Sequence, residues 1–552
     1  MGSRPTAIFA VTAAAVAAAL LAAPAAGAPV QSLGGGALLG AQIDPVSAPA
    51  FCDRLREDGS RAATVFLTRN VIERNDGSLN TTAIDNRIEP DRACGIEPAV
   101  RVRPTTAPDQ DSYLPAGAEL DSYLNLLTGL SQYLGGRVNR YAIDNEAAAQ
   151  THFDGTAAEY FELLRRSAAA LRAGDPDAEI LDGTMASGNM SAVMVADLYE
   201  QGRFGEAIAL AQQTQANELG GGPPVTDVDS LTAYVNDARV QRSIDFFAAA
   251  VANQDAFDAF QLHYYGPWRG LIDMVEFARA RGITLPIEIW EVAHRYLDGR
   301  PFMEEDFAAE TARLLITAAG EGSAFTVFSS YLGNDDNDAI GLFAFDGSTP
   351  HVARAAFRTV TTELTGATAA ERLPVGGDAW GYRFERPGAP PISAAWSDPS
   401  AQPIGGELGI DATTALVTTA GGTPAHVRLS KLRIGPTPVF AEPDLVELER
   451  FGKRSRKRVR LRLSCPAASP QPSCKGRVKV RRASRKDGRS VRRGKSRKPQ
   501  VLGDKRFKVA AGTSEKLKVR LRRDGRPGEA EAKTKRCPVG GKGGCRSWLE
   551  LR

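Results

Sequence analysis

Histidine is scarce here: His152, His263, His294, His351 and His426 are the only five in 552 residues. None stands in a paired ligand motif, which argues against a metal-dependent hydrolase, whose ion needs a cluster of imidazoles. A glycine-rich phosphate loop is also missing, so no nucleotide cofactor is expected. There is no nucleophilic Ser or Cys motif, and beyond the N-terminus no apolar run is long enough to cross a bilayer. Cysteine is limited to six residues, Cys52, Cys94, Cys465, Cys474, Cys537 and Cys545, without the spacing of a zinc site. In an exported chain, an even count with two close pairs reads as disulfides. Cys465 is expected to pair with Cys474, and Cys537 with Cys545, while Cys52 and Cys94 are left open.

What is present begins with an export signal at residues 1–28. Arg4 precedes the apolar run from Ala7 to Ala23, and Ala23-Pro24-Ala25 supplies small residues for cleavage after Ala25. A cut after Ala28 would leave Pro29 at the scissile bond. An uncleaved membrane anchor is the competing reading. The expected location is extracellular, secreted or at the cell surface. Removing the signal leaves about 525 residues, too many for one core.

Charge divides this remainder. From Leu445 onward there are 36 Lys and Arg against 9 Asp and Glu, and before it 32 against 56. An acidic globular part is followed by a basic module.

Within 29–366, short apolar runs alternate with longer helical stretches, the pattern of a parallel sheet wrapped by helices. Eight strands are expected: 37–43, 62–67, 97–102, 138–143, 178–183, 257–264, 285–290 and 324–329. Thr156 and Glu159 form a capping-box pattern ahead of Tyr160, Leu163, Leu164 and Leu171 at helical spacing. The fold class is therefore α/β, a (β/α)8 TIM barrel with one insertion at about 186–254. A doubly wound sheet is the alternative, but it lacks its phosphate loop. Short alternating stretches at 367–444 predict a small β-sandwich, and 445–552 a basic β-rich module with a disordered loop near 481–500.

Active sites of such barrels lie at the C-terminal strand ends. There the fourth strand runs Tyr141-Ala142-Ile143-Asp144-Asn145-Glu146, and the seventh Pro286-Ile287-Glu288-Ile289-Trp290-Glu291. Two carboxyl groups facing each other across the mouth are what glycosidic cleavage requires, one to protonate the leaving oxygen and one to attack the anomeric carbon or activate water.

These segments resemble the clan A glycoside hydrolases, the retaining barrel families that include cellulases, mannanases and the xylosidase and iduronidase family. The resemblance spans about 37–364. It implies that Glu146 is the acid/base, that Asn145 contacts the sugar 2-hydroxyl, and that Tyr265 of His263-Tyr264-Tyr265 hydrogen-bonds the nucleophile, Glu291. Alternation agrees, because Glu288 is an odd step from Glu291 and should face the opposite side of the sheet. The chain departs from the clan pattern at Trp290, Ala293, Ala147, Phe328 and Tyr331. Trp268, Trp290 and Tyr331 are candidate sugar-stacking rings, and His263 a candidate substrate contact. Asp335, Asp336 and Asp338 lack the pattern of a calcium loop and read as a solvated or substrate-facing segment.

The expected activity is hydrolysis of O-glycosyl bonds in a polysaccharide or glycoconjugate by a monomer that needs no cofactor and no metal. The alternative is a carbohydrate-binding or envelope protein on the same barrel, inactive but with its groove aromatics kept. The basic tail suggests a further partner, an anionic envelope polymer, acidic polysaccharide or extracellular DNA.

Overall fold

The computed structural model describes residues 30–550 except 44–46, 106–110, 150, 217–222, 295–302, 334–340, 376–377, 388, 398–403, 406–407, 409, 411–413, 423, 430–431, 444–446, 451–457, 466–472, 483–500, 511–512, 522–526 and 535–545. The expected export segment, the Asp335 to Asp338 loop, Cys537, Cys545 and the loop after Arg482 lie outside the described residues.

All eight expected strands are present. They are β1 (Leu38–Ala41), β2 (Ala62–Thr68), β3 (Glu97–Arg103), β4 (Arg140–Ile143), β5 (Glu179–Asp182), β6 (Phe260–Tyr265), β7 (Ile287–Ala293) and β8 (Phe325–Phe328). Their pairings are parallel. β2 to β5 form one sheet in sequence order, and β6, β7, β8 and β1 belong to a second. Helices separate the strands; Ala157–Gly174, for instance, starts at a complete Thr156–Glu159 capping box. The 186–254 insertion is helical: Ser187–Glu200, Phe204–Ala216, Val228–Val235 and Ala238–Ala252 lie between β5 and β6.

The two sheets meet at two seams. At one, the Arg61 N–H donates to the Leu39 carbonyl at 2.8 Å. Gly40 permits this approach, since a Cβ there would stand 1.8 Å from the Ala62 carbonyl oxygen. At the other seam a parallel bridge joins Leu181 to Ala259. The interior between the sheets is filled by Ala62, Ala99, Ala142, Leu181, Ala259, Trp290, Phe325 and Val327. Small residues from one half leave the volume that the Trp290 and Phe325 rings occupy from the other.

Beyond the helix Val352–Leu364, residues 369–443 form most of a seven-stranded sheet whose pairings are antiparallel, with a separate two-stranded pair, Ile404–Gly405 and Arg433–Ile434. Its edge strand, Gln31–Ser32, comes from the segment ahead of β1 and pairs with Ala369 and Ala370. The sheet packs on the helix Glu304–Gly320 between β7 and β8, where Arg313 donates to the Pro436 carbonyl at 3.0 Å. Residues 447–550 form two further antiparallel sheets around a core of their own, which includes Val459, Leu461, Val478, Phe507 and Val519.

Cys465 is bonded to Cys474, and Cys52 to Cys94. The second pair was unreadable from spacing. It becomes close because the helices Ala48–Glu57 and Thr81–Ala93 lie side by side, bringing the two Cα atoms within 4.9 Å.

Candidate active site

The chain turns abruptly where β4 ends. Asp144 and Glu146 have φ of 70° and 51° and are the non-glycine residues with positive φ among those described. Such backbone costs about 1–3 kcal/mol per residue and persists only where its surroundings impose it. The buried Asp144 carboxylate accepts from Arg103 at 3.0 Å and from the Asn145 N–H at 2.8 Å. Burial pushes its pKa up to about 6 despite Arg103. From the insertion, Arg242 donates to the carbonyls of Ala147, Ala148, Phe153 and Gly155. This fixes the segment that follows Glu146.

Glu291 reaches the same space through a bulge in β7. Gln261 pairs with Glu288 and His263 with Glu291, so three steps in β7 face two in β6; the same offset recurs against β8. One extra residue resets alternation. The expectation that Glu288 faces away from Glu291, on the helix side, is thereby corrected. The buried Glu288 accepts from Trp290 Nε1 at 2.8 Å and lies 3.4 Å from Arg140. Arg140 also binds Glu97 and Glu179, at the N-terminal ends of their strands. Glu288 therefore belongs to the opposite end of the interior, where burial pushes its pKa up to about 7.

Around Glu291, Tyr265 donates its hydroxyl to one carboxylate oxygen and Arg101 donates Nη1 to the other. Arg101 also donates to Asn145 Oδ1 at 2.8 Å, tying the two strand ends together. Burial alone would raise the Glu291 pKa, but the charges of His263 and Arg101 and the Tyr265 hydrogen bond bring it down to about 2. Glu146 stands opposite, with Oε1 2.9 Å from His263 Nδ1 and Oε2 3.4 Å from His152 Nδ1. One oxygen of each glutamate and a ring nitrogen of His263 all lie within 4.8 Å of one another. Both glutamate side chains keep 18% of their surface exposed, enough to meet a ligand. These three side chains are also the set, among the described residues, able to converge on a cation. The guanidinium of Arg101 already supplies positive charge to Glu291.

Burial favours the neutral carboxyl of Glu146, but the hydrogen bond and charge of His263 outweigh it, and the net direction of its pKa is down. His263 is itself held by Gln261, whose side-chain nitrogen lies 2.8 Å from Nε2. The Gln261 Oε1 is buried without a hydrogen-bond partner. Rotating that amide exchanges donor for acceptor, so Gln261 can serve His263 Nε2 in either role.

The structure thus brings together Glu146, Glu291, Asn145, His263 and Tyr265. It does not bring in the three candidate stacking rings. Trp268, 4% exposed, packs edge-on against Trp380 and Trp396 of the antiparallel sheet. Trp290, fully buried, fills the interior between the two parallel sheets, and Tyr331, 1% exposed, packs on Phe51 and Phe343 with its hydroxyl 3.4 Å from Asp58. No ring face remains for a sugar, which corrects that expectation. Two site residues were missed, Arg101 and His152. The signal for Arg101 was a charged side chain inside the apolar run of β3; His152 gave none. A cavity of about 370 Å³ adjoins Glu146, walled by Ala149, Asn189, Tyr234, Arg239 and Ser243.

No protein-family model and no curated protein matches the chain. Among solved structures, a family 39 glycoside hydrolase from Bacteroides cellulosilyticus WH2 is similar with a TM-score of 0.51 at 14% identity, over 75% of this chain and 81% of that one. A family 39 β-xylosidase from Caulobacter crescentus has a TM-score of 0.47 at 14% identity, over 75% and 97% of the two chains. For a glucosidase from Croceicoccus marinus the TM-score is 0.45 at 14% identity, over 90% and 96%. The first likeness establishes a shared fold, mixed α/β with parallel sheets consistent with a (β/α)8 core.

Proposed function

We propose that this chain is an extracellular retaining glycoside hydrolase on a (β/α)8 barrel, with Glu146 as acid/base and Glu291 as nucleophile. The observation that carries the reading is the facing pair of carboxylates, with oxygens within 4.8 Å of each other. That spacing is nearer to the retaining arrangement, with carboxyl groups about 5–5.5 Å apart, than to the inverting one, with groups about 6.5–9.5 Å apart. The two carboxylates are also held by different partners. Glu291, held ionised by Arg101 and Tyr265, suits attack on the anomeric carbon. Glu146, linked to a histidine, suits proton transfer to the leaving oxygen and then from water. With its oxygen engaged by Arg101, Asn145 has amide N–H groups to offer a sugar hydroxyl. The solved family 39 structure with the shared fold is itself a glycoside hydrolase. The alternative, an inactive carbohydrate binder, relies on groove aromatics, and Trp268, Trp290 and Tyr331 are buried elsewhere.

Substitution tests the roles separately. Glu291→Ala should abolish turnover, and azide should restore it with inversion. Glu146→Ala should still cleave substrates whose leaving group needs no proton, and azide should give a retained product. An inverted product from the intact enzyme would overturn the assignment. So would release of reducing sugar that survives both substitutions.

A further inference from the structure

The strands Arg458–Cys465 and Thr513–Arg520 pair antiparallel, with Arg458 opposite Arg520, Arg460 opposite Lys518 and Arg462 opposite Lys516. The intervening Val459, Leu461, Leu463, Leu517 and Val519 are buried in the local core, so period-two alternation turns all six cations to the outer face, where they are exposed. Like charges directly opposite each other on a sheet destabilise it. On the adjoining strand, Glu449 is in register with Arg462 and Glu447 with Ser464. Arg460 and Lys518 face each other as an exposed pair of like sign, an arrangement that folding alone does not favour.

We infer that this face is a docking surface for a linear acidic polysaccharide. The geometry gives two cationic rows about 4.8 Å apart, each with a repeat of about 6.8 Å, suited to an extended chain that carries charge at regular intervals. The described outward side chains of the two strands are Arg458, Arg460 and Arg462 on one and Ser514, Lys516, Lys518 and Arg520 on the other. None is aromatic, so the face offers no platform for stacking bases, the feature that distinguishes single-strand nucleic-acid binders. The bonded Cys465–Cys474 pair beside it fits an oxidising compartment, where such polymers occur.

The test uses the full chain and polygalacturonate immobilised on a resin, with neutral dextran and duplex DNA as comparison polymers. The intact protein should be retained by polygalacturonate at low salt, be released as salt rises, and ignore dextran. Lys518→Glu should weaken retention at least about tenfold while the melting temperature holds or rises, because the variant places an opposite charge across from Arg460. Lys518→Gln, which only removes a charge, should weaken it about threefold without loss of stability. Retention unchanged in both variants, insensitive to salt or equal on dextran would overturn the inference. Tighter binding to DNA than to polygalacturonate at equal salt would assign the face to nucleic acid instead.

Discussion

His263 Nδ1 lies 2.9 Å from Glu146 Oε1, and this contact sets the proton affinity of the proposed acid. Without it, the burial that already favours the neutral carboxyl would prevail. His263→Ala should therefore raise the pKa of Glu146 and move the alkaline limb of the kcat/KM profile, which reports the essential acid of the free enzyme, to higher pH. The rate at the optimum should fall by about 10² as the carboxyl loses its orienting partner. Profiles from pH 3 to 9 decide it, and an alkaline limb that stays or moves down would refute the coupling.

Glu288 gives a prediction of opposite sign to the site carboxylates. Its pKa is raised by burial to about 7, so its contribution to stability is complete below about pH 4.5 and lost as pH rises through 7, a loss on the order of 3 kcal/mol. Glu146 and Glu291, both lowered, contribute fully above about 4.5 and lose that contribution as pH falls through their folded values. Glu288→Gln should then unfold at a temperature that drops less between pH 5 and 8 than the wild type, with Arg140 still held by Glu97 and Glu179. Activity should remain within a few-fold. Loss of turnover on the scale of Glu291→Ala would reopen the choice of nucleophile.

That choice shows what the sequence could and could not carry. The eight strands were legible because each is a short apolar run between helical stretches, and Glu146 and Glu291 because both terminate such runs. Alternation then misplaced Glu288, since one bulged residue near Trp290 resets the period, and bulges leave no mark in hydrophobicity. Trp268, Trp290 and Tyr331 misled for a related reason: a ring near a strand end reads the same whether it faces a sugar or packs against other side chains. Arg101 was detectable in principle, as a cation inside the apolar run of β3. The lesson is that inward charges at mid-strand merit the same attention as those at strand ends.

The Cys52–Cys94 bond closes a span of 42 residues, for which loop-closure entropy gives about 4 kcal/mol of stabilisation. Replacing both cysteines with serine should lower the unfolding temperature and remove the share of its sensitivity to reductant that is due to this bond, the Cys465–Cys474 bond remaining in place. Catalysis at 25 °C should be unaffected, because Cys94 precedes β3 and so lies at the strand end away from Glu146 and Glu291. Denaturant titration with and without dithiothreitol measures the difference. A double variant as stable as the oxidised wild type would show that the helices hold each other without the bond.

Arg242 links the insertion to the segment that follows the proposed acid, Glu146. Its guanidinium donates to four main-chain carbonyls between Ala147 and Gly155 and lies 4.4 Å from the Phe246 ring centroid. The segment it fixes begins immediately after Glu146, whose backbone is held at positive φ, and carries His152 to within 3.4 Å of the second carboxylate oxygen. A lysine at this position keeps the charge but has only three donors on one atom, too few to meet four carbonyls in a plane. Arg242→Lys should therefore let Glu146 drift from the leaving oxygen, and a displacement of about 1 Å costs on the order of 10² in rate. The penalty should fall on bonds that need a proton. Measured as kcat/KM, which ends at glycosyl transfer, hydrolysis of an unactivated glycoside should drop about 10²-fold, and that of an aryl glycoside with an acidic leaving group only a few-fold. Equal losses on both substrates would mean that Arg242 serves binding or folding, and no loss on either would mean that the clamp does not position the acid.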